Sequence, residues 1–144
     1  LLHKLGQDEN VKQYKITDRR MTRFVMTLDQ SVDLVEHAML HGSSGDVVIP
    51  KLISCNITDL IELFSEIYNK PIVDDKLRPG EKLLESLINE TQSMRLENGP
   101  DGYMYIRAPY LNVMKLENIR DYNSTINPLT KEDLNVYLLS LKLI

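Results

Sequence analysis

Four arginines in two short segments are the side chains of this sequence best suited to binding an anion. The segment DRRMTRF contains Arg19, Arg20 and Arg23, and the segment LRPGEK contains Arg78. The planar guanidinium group donates two parallel hydrogen bonds to phosphate, which a lysine ammonium cannot do. Both segments are therefore candidate phosphate sites. For the first, an exposed basic loop paired with surface carboxylates is an equally good interpretation.

The residues around Arg78 predict a turn followed by a helix. A residue before proline is restricted to extended conformations, so Arg78 is expected to end an extended segment. Pro79 and Gly80 suit the two central positions of a type II turn. Apolar spacing over Glu81 to Ile88 then predicts a helix, whose free N–H groups would favour an anion beside Arg78. Glu81 could satisfy those N–H groups instead, which would leave the arginine unexplained.

A histidine pair has the spacing of two metal ligands on one helix face. His37 and His41 are four residues apart. No third ligand lies nearby in the sequence, and imidazoles near a helix C-terminus also interact favourably with the helix dipole. Asp74 and Asp75 are adjacent in an extended segment, so their carboxylates are expected to point to opposite faces as solvated charges. We therefore predict no metal site.

Alternating helical and strand-like patterns predict an α/β fold with a few short strands. Three helix starts carry capping signals, namely Thr27 with Gln30, Asn56, and Thr130 with Asp133. Helices are thus predicted at 1–6, from 27 to about 42, from 56, at 81–88 and from 130. Strand-like segments are predicted at 46–50, 70–77 and 103–107, the last after the turn cluster ENGPDG.

Composition excludes several classes of protein. The chain has 144 residues and 42% hydrophobic residues, enough for one compact domain. Its net charge is −4 and its basic residues are dispersed, which argues against binding to nucleic acid or an anionic membrane. The single cysteine, Cys55, cannot form a disulfide framework, and no apolar run approaches the roughly 20 residues of a membrane span. We expect a cytoplasmic protein.

The motifs of a complete dinucleotide-dependent enzyme are missing. The sequence has no G-x-G-x-x-G, and none of its seven tyrosines is followed four residues later by lysine. The chain begins LLHKL, with helix-like apolar spacing and no initiator methionine. We interpret it as a fragment of a longer polypeptide.

Three stretches resemble, in order and approximate spacing, the C-terminal half of the polysaccharide-biosynthesis UDP-N-acetylglucosamine 4,6-dehydratases. They are ITDRRMTRFVMTLDQSVDLV, GDVVIPKLISCNITDL and LRPGEKLLESLI. These enzymes are extended short-chain dehydrogenase/reductases, and the inverting branch, which also inverts C5 of the sugar, is the most similar. The resemblance covers about Ile16 to Ile88, and YNSTINPLTKEDLNVYLLSL is similar to the C-terminal stretch of the family. Leu84 stands where family members often carry histidine.

The resemblance implies that residues 1–144 form the substrate-binding region of a larger NADP-dependent enzyme, without its N-terminal Rossmann domain. That domain would hold NADP and the catalytic Thr, Asp, Lys and Tyr, so no catalytic or cofactor-binding residue is expected in this chain, which alone would be inactive. The implied lyase reaction oxidises C4 of the sugar, eliminates water across C5 and C6, and returns the hydride to C6.

By the same resemblance, Arg23 and Arg78 would contact the diphosphate of a UDP-sugar. Glu81 and Thr22 are weaker candidates for ribose or orienting contacts. The full-length enzyme would be a homo-oligomer that acts on UDP-N-acetylglucosamine. Two alternatives stay open: a nucleotide-sugar epimerase of the same superfamily, and a non-catalytic module that binds nucleotide sugars or mediates assembly.

Overall fold

The computed structural model describes residues 1–111, 114–115 and 120–144. Within them, α-helices and short strands alternate, and the predicted α/β class is confirmed. The helices are α1 (Leu2–Gln7), α2 (Leu28–His41), α3 (Ile57–Tyr68), α4 (Glu90–Ser93) and α5 (Lys131–Ser140). The strands are β1 (Tyr14–Ile16), β2 (Thr22–Val25), β3 (Val47–Ile49), β4 (Ile53–Asn56), β5 (Ile72–Asp74), β6 (Ser86–Ile88), β7 (Leu96–Asn98), β8 (Met104–Ile106) and β9 (Tyr122–Asn123).

The chain divides into two compact units that interleave along the sequence. The first unit comprises Leu1–Phe24, Ser54–Glu85 and Ser124–Ile144, and the second comprises Val25–Ile53 and Ser86–Asn123.

The first unit is built around α3, which contacts α1, α5 and the parallel pair β1–β5. The core includes Ile61 and Phe64 of α3, Tyr14 of β1, and Leu134 and Leu138 of α5, all at most 5% exposed. Strand β2 pairs with β4 in a second two-stranded sheet. Strand β2, which precedes α2, also contacts the segment that follows β5, because the N–H of Thr22 donates to the carbonyl of Leu83 (2.9 Å).

The second unit contains an antiparallel sheet in the order β3-β8-β7, so β8 is central. Ile49, Ile88 and Ile106 form its hydrophobic core. The sequence predicts that the strand at 103–107 is half-exposed, but Tyr105 is as buried as the neighbouring Ile106. The reason is that His37 of α2 covers the face to which Tyr105 points, so both faces of β8 are packed.

The three predicted helix starts are confirmed by their caps. The Thr27 hydroxyl accepts from the N–H of Gln30 (3.1 Å) and the Gln30 amide oxygen accepts from the N–H of Thr27 (2.9 Å), a complete capping box. Asn56 accepts an N–H of the first turn of α3 (2.7 Å). Thr130 accepts the N–H of Asp133 (3.1 Å). Each cap joins residues at most three apart, which is why local sequence predicts them.

Residues 81–88 do not form the predicted helix and are irregular up to β6. The carbonyl groups that a helix would need are bonded elsewhere. The carbonyl of Lys82 accepts from the guanidinium of Arg23 (2.7 Å), and that of Leu83 accepts from a backbone N–H of β2 (2.9 Å). These long-range bonds override the apolar spacing. The expectation of a helix N-terminus beside Arg78 is therefore wrong.

Helix α2 packs through a polar residue. Its apolar residues Leu28, Val32, Val35 and Met39 share one face, but each is at least 59% exposed, whereas His37 is 7% exposed. No helix of the described residues is both long and apolar enough to cross a membrane.

Candidate anion-binding site

A cavity of about 260 Å³ in the first unit brings together residues that the sequence singled out separately. It is lined by Lys15, Ile16, Thr17, Met21, Arg23, Ile57, Arg78 and Glu81. Three of these side chains are cationic and one is anionic, so the cavity has a positive charge. Sites for drug-sized ligands usually enclose about 300–1,000 Å³. This cavity therefore matches a charged part of a ligand better than a whole nucleotide sugar.

The type II turn predicted from the sequence presents Arg78 to this cavity. The N–H of Glu81 donates to the carbonyl of Arg78 (3.0 Å), which closes the turn, and Gly80 has a φ of +85°. No atom lies within 4 Å of a Cβ added at Gly80, so only the positive φ requires glycine there. The Glu81 carboxylate accepts from the N–H of Arg78 (3.1 Å), which rigidifies the turn.

The guanidinium group of Arg78 is the available cation of the cavity. It makes no hydrogen bond or ion pair with any residue in the described part of the chain, and the residue is exposed. Its charge nevertheless acts on Asp75. The N–H of Lys76, the ammonium of Lys15 (3.1 Å away) and the field of Arg78 together lower the pKa of that carboxyl. An anion entering the cavity would therefore meet a guanidinium with all its donors free.

Arg23 lines the same cavity, but its donors are largely used within the chain. Its guanidinium donates to the carbonyls of Thr22 (2.8 Å) and Lys82 (2.7 Å), and its Nε lies 3.6 Å from the Glu85 carboxylate. The side chain is 25% exposed. Arg23 thus ties the segment after the turn to β2. Toward a ligand it offers positive charge more than free N–H groups.

Thr22 lies beneath the cavity rather than on its lining. It is 6% exposed, and its hydroxyl lies 2.7 Å from that of Ser124, which in turn accepts from the N–H of Glu85 (2.9 Å). The orienting role predicted for Thr22 stays a prediction. Thr22 would act on a ligand indirectly, through the hydroxyl of Ser124. Ser124 was not among the predicted site residues, although it belongs to the YNS stretch that carries part of the family resemblance. Lys15 was also not among the predicted site residues, because nothing in its neighbouring sequence distinguishes it from other lysines.

Arg19 and Arg20 are outside the cavity lining. Arg19 pairs with Asp74 (3.0 Å) and Arg20 with Asp18 (2.7 Å); both arginines and Asp74 are exposed, and the Asp18 side chain is 16% exposed. The side-chain hydrogen bond from Arg20 is the main reason that the pKa of Asp18 falls to about 2. For these two arginines the structure supports the interpretation as a basic loop paired with surface carboxylates.

Comparisons with known proteins agree on one group of relatives. Residues 4–107 match the family described as "Polysaccharide biosynthesis protein". The UDP-glucose 4-epimerase of Rickettsia rickettsii (strain Sheila Smith) is 35% identical over 101 residues, covering 69% of this chain and 30% of that protein. The UDP-glucose 4-epimerase of Rickettsia felis is 31% identical over 149 residues, covering 95% of this chain and 44% of that protein.

The fold is similar to a solved structure over its whole length. The X-ray structure of Pen from Bacillus thuringiensis matches with a TM-score of 0.83 and 28% identity, covering 100% of this chain and 46% of Pen. The chain therefore spans less than half the length of these relatives.

Proposed function

Because the chain belongs to the polysaccharide biosynthesis protein family, we propose that it is the substrate-binding part of a nucleotide-sugar-modifying enzyme of the extended short-chain dehydrogenase/reductase type. The cavity of the first unit would bind the diphosphate of a UDP-sugar. One observation carries this proposal: Arg78, with an unpaired guanidinium, shares a small positive cavity with Lys15 and Arg23. The two arginines come from segments that are distant in sequence.

Each residue has a distinct part in the proposed site. Arg78 donates two hydrogen bonds to one phosphate, because the bidentate geometry suits its free guanidinium. Lys15 of β1 and Arg23 of β2 add positive charge, and both keep their internal partners. Glu81 holds the turn through the backbone N–H of Arg78, and its carboxylate would accept from a ribose hydroxyl. Thr22 supports the site from below through Ser124.

The reaction we propose for the full-length protein is the 4,6-dehydration of UDP-N-acetylglucosamine, with inversion at C5, to a UDP-4-keto-6-deoxy-hexosamine. Residues of this chain would bind and orient the substrate, and the chemistry would take place on the remainder of a homo-oligomeric enzyme. A nucleotide-sugar epimerase is the second candidate, since relatives at 31–35% identity are named UDP-glucose 4-epimerases. Both reactions need a UDP-sugar and therefore the same diphosphate site. A non-catalytic nucleotide-sugar-binding module is the third.

NADP would supply hydride storage, but the described residues of this chain do not fit it. A dinucleotide binds at a glycine-rich turn between a strand and a helix, where free N–H groups meet the pyrophosphate. The helices that follow strands β2 and β4 are capped by Thr27 and Asn56, whose side chains already accept first-turn N–H groups. We therefore place NADP on a part of the enzyme outside this chain.

The test is UDP binding to the full-length protein by titration calorimetry. A hydrogen bond to a charged group contributes about 1.5–3 kcal/mol, so Arg78→Ala is expected to weaken UDP binding about 10-fold to 100-fold. Arg20→Ala is the matched control, since Arg20 is exposed and outside the cavity. Uridine binding is expected to change little in either variant. Unchanged UDP affinity in Arg78→Ala would refute the site.

Product analysis separates the candidate reactions. After incubation of the full-length protein with UDP-N-acetylglucosamine, NMR is expected to detect a 4-keto-6-deoxy sugar. A C4-epimerised sugar without loss of water would identify the epimerase instead, and UDP binding without any product would favour the binding module.

A further inference from the structure

The second unit contains a cluster of potential metal ligands that lies outside the proposed diphosphate site. One ligand atom from each of His37, His41 and Asp101 lies within 4.8 Å of the other two. His37 and His41 are one turn apart at the end of α2, and Asp101 belongs to the turn Pro100–Gly102 that follows β7. The prediction of no metal site depended on the lack of a third ligand nearby in the sequence. Folding supplies that ligand from residue 101.

The buried histidine uses one ring nitrogen for a hydrogen bond, which leaves the other to act as a ligand. Nε2 of His37 lies 2.6 Å from the hydroxyl of Tyr105, and the ring stacks on Tyr103 with 3.8 Å between ring centroids. With Nε2 donating its proton to Tyr105, Nδ1 presents a lone pair. Metal-ligating histidines usually donate their other N–H in this way, which fixes the tautomer and the ring orientation. His37 is 7% exposed, so its ring is held firmly.

The other two ligands have no competing partner among the residues that the structure describes. Within the described part of the chain, neither the imidazole of His41 nor the carboxylate of Asp101 makes a hydrogen bond or an ion pair, although the His41 ring contacts that of His37 (4.6 Å between centroids). These groups are therefore free to bind an ion.

The surroundings of the cluster attract cations. The cavity next to it, about 320 Å³, is lined by Asp33, Glu36, His37, Leu40, His41, Asp101 and Tyr103. Three of these are carboxylates, and none is a lysine or an arginine. These carboxylates give the cavity a negative charge, opposite to that of the diphosphate site.

From this geometry we propose that His37, His41 and Asp101 bind a divalent transition metal, with zinc as the expected ion. Two imidazoles and one carboxylate suit zinc, which takes ligands at about 2.0–2.2 Å and leaves a fourth position for water. Tetrahedral ligands at those bond lengths are about 3.4 Å apart. Side-chain rotation of the exposed His41 and Asp101 closes the remaining distance. The bound ion would fasten the turn Pro100–Gly102 to the end of α2.

Zinc titration of the full-length protein, after dialysis against EDTA, tests the proposal. We expect the unmodified protein to bind one equivalent of zinc with high affinity. His41→Ala and Asp101→Asn are each expected to bind this equivalent at least 10-fold more weakly. Both residues are exposed, so the variants are expected to fold. Asparagine also tolerates the φ of +55° at position 101. His3→Ala is the control, because His3 is the one histidine of this sequence outside the cluster and belongs to the first unit.

Cobalt(II) provides an independent measurement, since a tetrahedral site gives an intense visible absorption band that surface binding does not. We expect this band in the unmodified protein and in His3→Ala, and its loss in the other two variants. Zinc binding that is equal in all four proteins, or that falls equally in His3→Ala, would overturn the proposal.

Discussion

The guanidinium group of Arg23 donates to the carbonyl of Lys82 across 2.7 Å, and so connects β2 to the segment that follows the Arg78 turn. This bond prevents the local helix that the sequence predicts and holds the turn at the edge of the positive cavity. Arg23 is therefore a positioning residue as well as a source of charge. The following predictions test this arrangement and the packing of the second unit.

Replacement of Arg23 by lysine is expected to destabilise the protein. A single ammonium lacks the planar fork that reaches the carbonyls of Thr22 and Lys82 together. We expect the free energy of unfolding to fall by about 1–3 kcal/mol, and UDP affinity to fall as the turn loses its support. Urea denaturation measures the change in the free energy of unfolding. Arg19→Lys, at an exposed ion pair with a single hydrogen bond to Asp74, is expected to change stability by less than about 0.5 kcal/mol, and equal effects of the two substitutions would contradict this role.

UDP binding is expected to weaken as salt rises, because three cations of the cavity attract the diphosphate through partly exposed positions. Calorimetry at low and high sodium chloride gives the slope of log affinity against log salt. Arg78→Ala is expected to have a shallower slope than the unmodified protein, since one phosphate contact is gone. An identical slope in both proteins would show that Arg78 does not meet the phosphates.

Gly99→Ala is expected to destabilise the second unit. A Cβ at this position would lie 1.9 Å from Cε2 of Tyr105, whose ring is 1% exposed and cannot move away freely. Overpacking of this kind costs about 1–3 kcal/mol. Gly80→Ala is a useful comparison, because its Cβ meets no atom within 4 Å and only the positive φ is strained. Thermal unfolding of both variants is the measurement, and a Gly99→Ala protein as stable as the unmodified one would contradict the packing.

Stability is expected to fall in acid through Asp46. Burial alone would raise the pKa of this carboxyl, but the N–H of Ser43 and the guanidinium of Arg107 (2.6 Å) outweigh it and lower the pKa. A folded pKa below the unfolded value of about 3.9 means that the stabilisation is present above that pH and is lost as pH falls through the folded pKa. The Asp46 side chain is 1% exposed, so the pair is shielded from solvent on that side.

Asp46→Asn tests this dependence. We expect the variant to be less stable at pH 7, because Arg107 loses one of the two carboxylates with which it pairs among the described residues, and to lose less stability between pH 7 and pH 3. Urea denaturation across that range measures both effects. Glu9→Gln, at an exposed residue without an ion pair in the described residues, is the control. A variant whose unfolding free energy falls with acid as steeply as that of the unmodified protein would contradict the assignment.

Features that depend on neighbouring residues were predictable from the sequence. The caps at Thr27, Asn56 and Thr130 and the type II turn at Pro79–Gly80 all formed as expected. The alternation of helical and strand-like patterns also led to the α/β fold, and the family resemblance led to a polysaccharide biosynthesis protein, which the family match supports.

Two predictions were wrong because they took no account of residues that are distant in sequence but in contact in the fold. The apolar spacing over 81–88 is real, but carbonyl groups there are bonded to β2 and to Arg23, and helix propensity is too weak to compete with such bonds. Strand β8 was predicted as half-exposed because local alternation carries no information about a helix that packs on its polar face.

The sequence by itself determined the capped starts of α2, α3 and α5 and the turn at Pro79–Gly80, and it marked the arginines whose chemistry suits a phosphate, because each depends on residue type and on contacts a few residues long. Only the tertiary structure decided which of those arginines has free donors. It also placed Arg23 and Arg78 on one cavity and set Asp101 beside His37 and His41. Such groupings arise from chain segments that are far apart in sequence, and the physical reason is that packing and long-range hydrogen bonds, rather than local preference, bring them together.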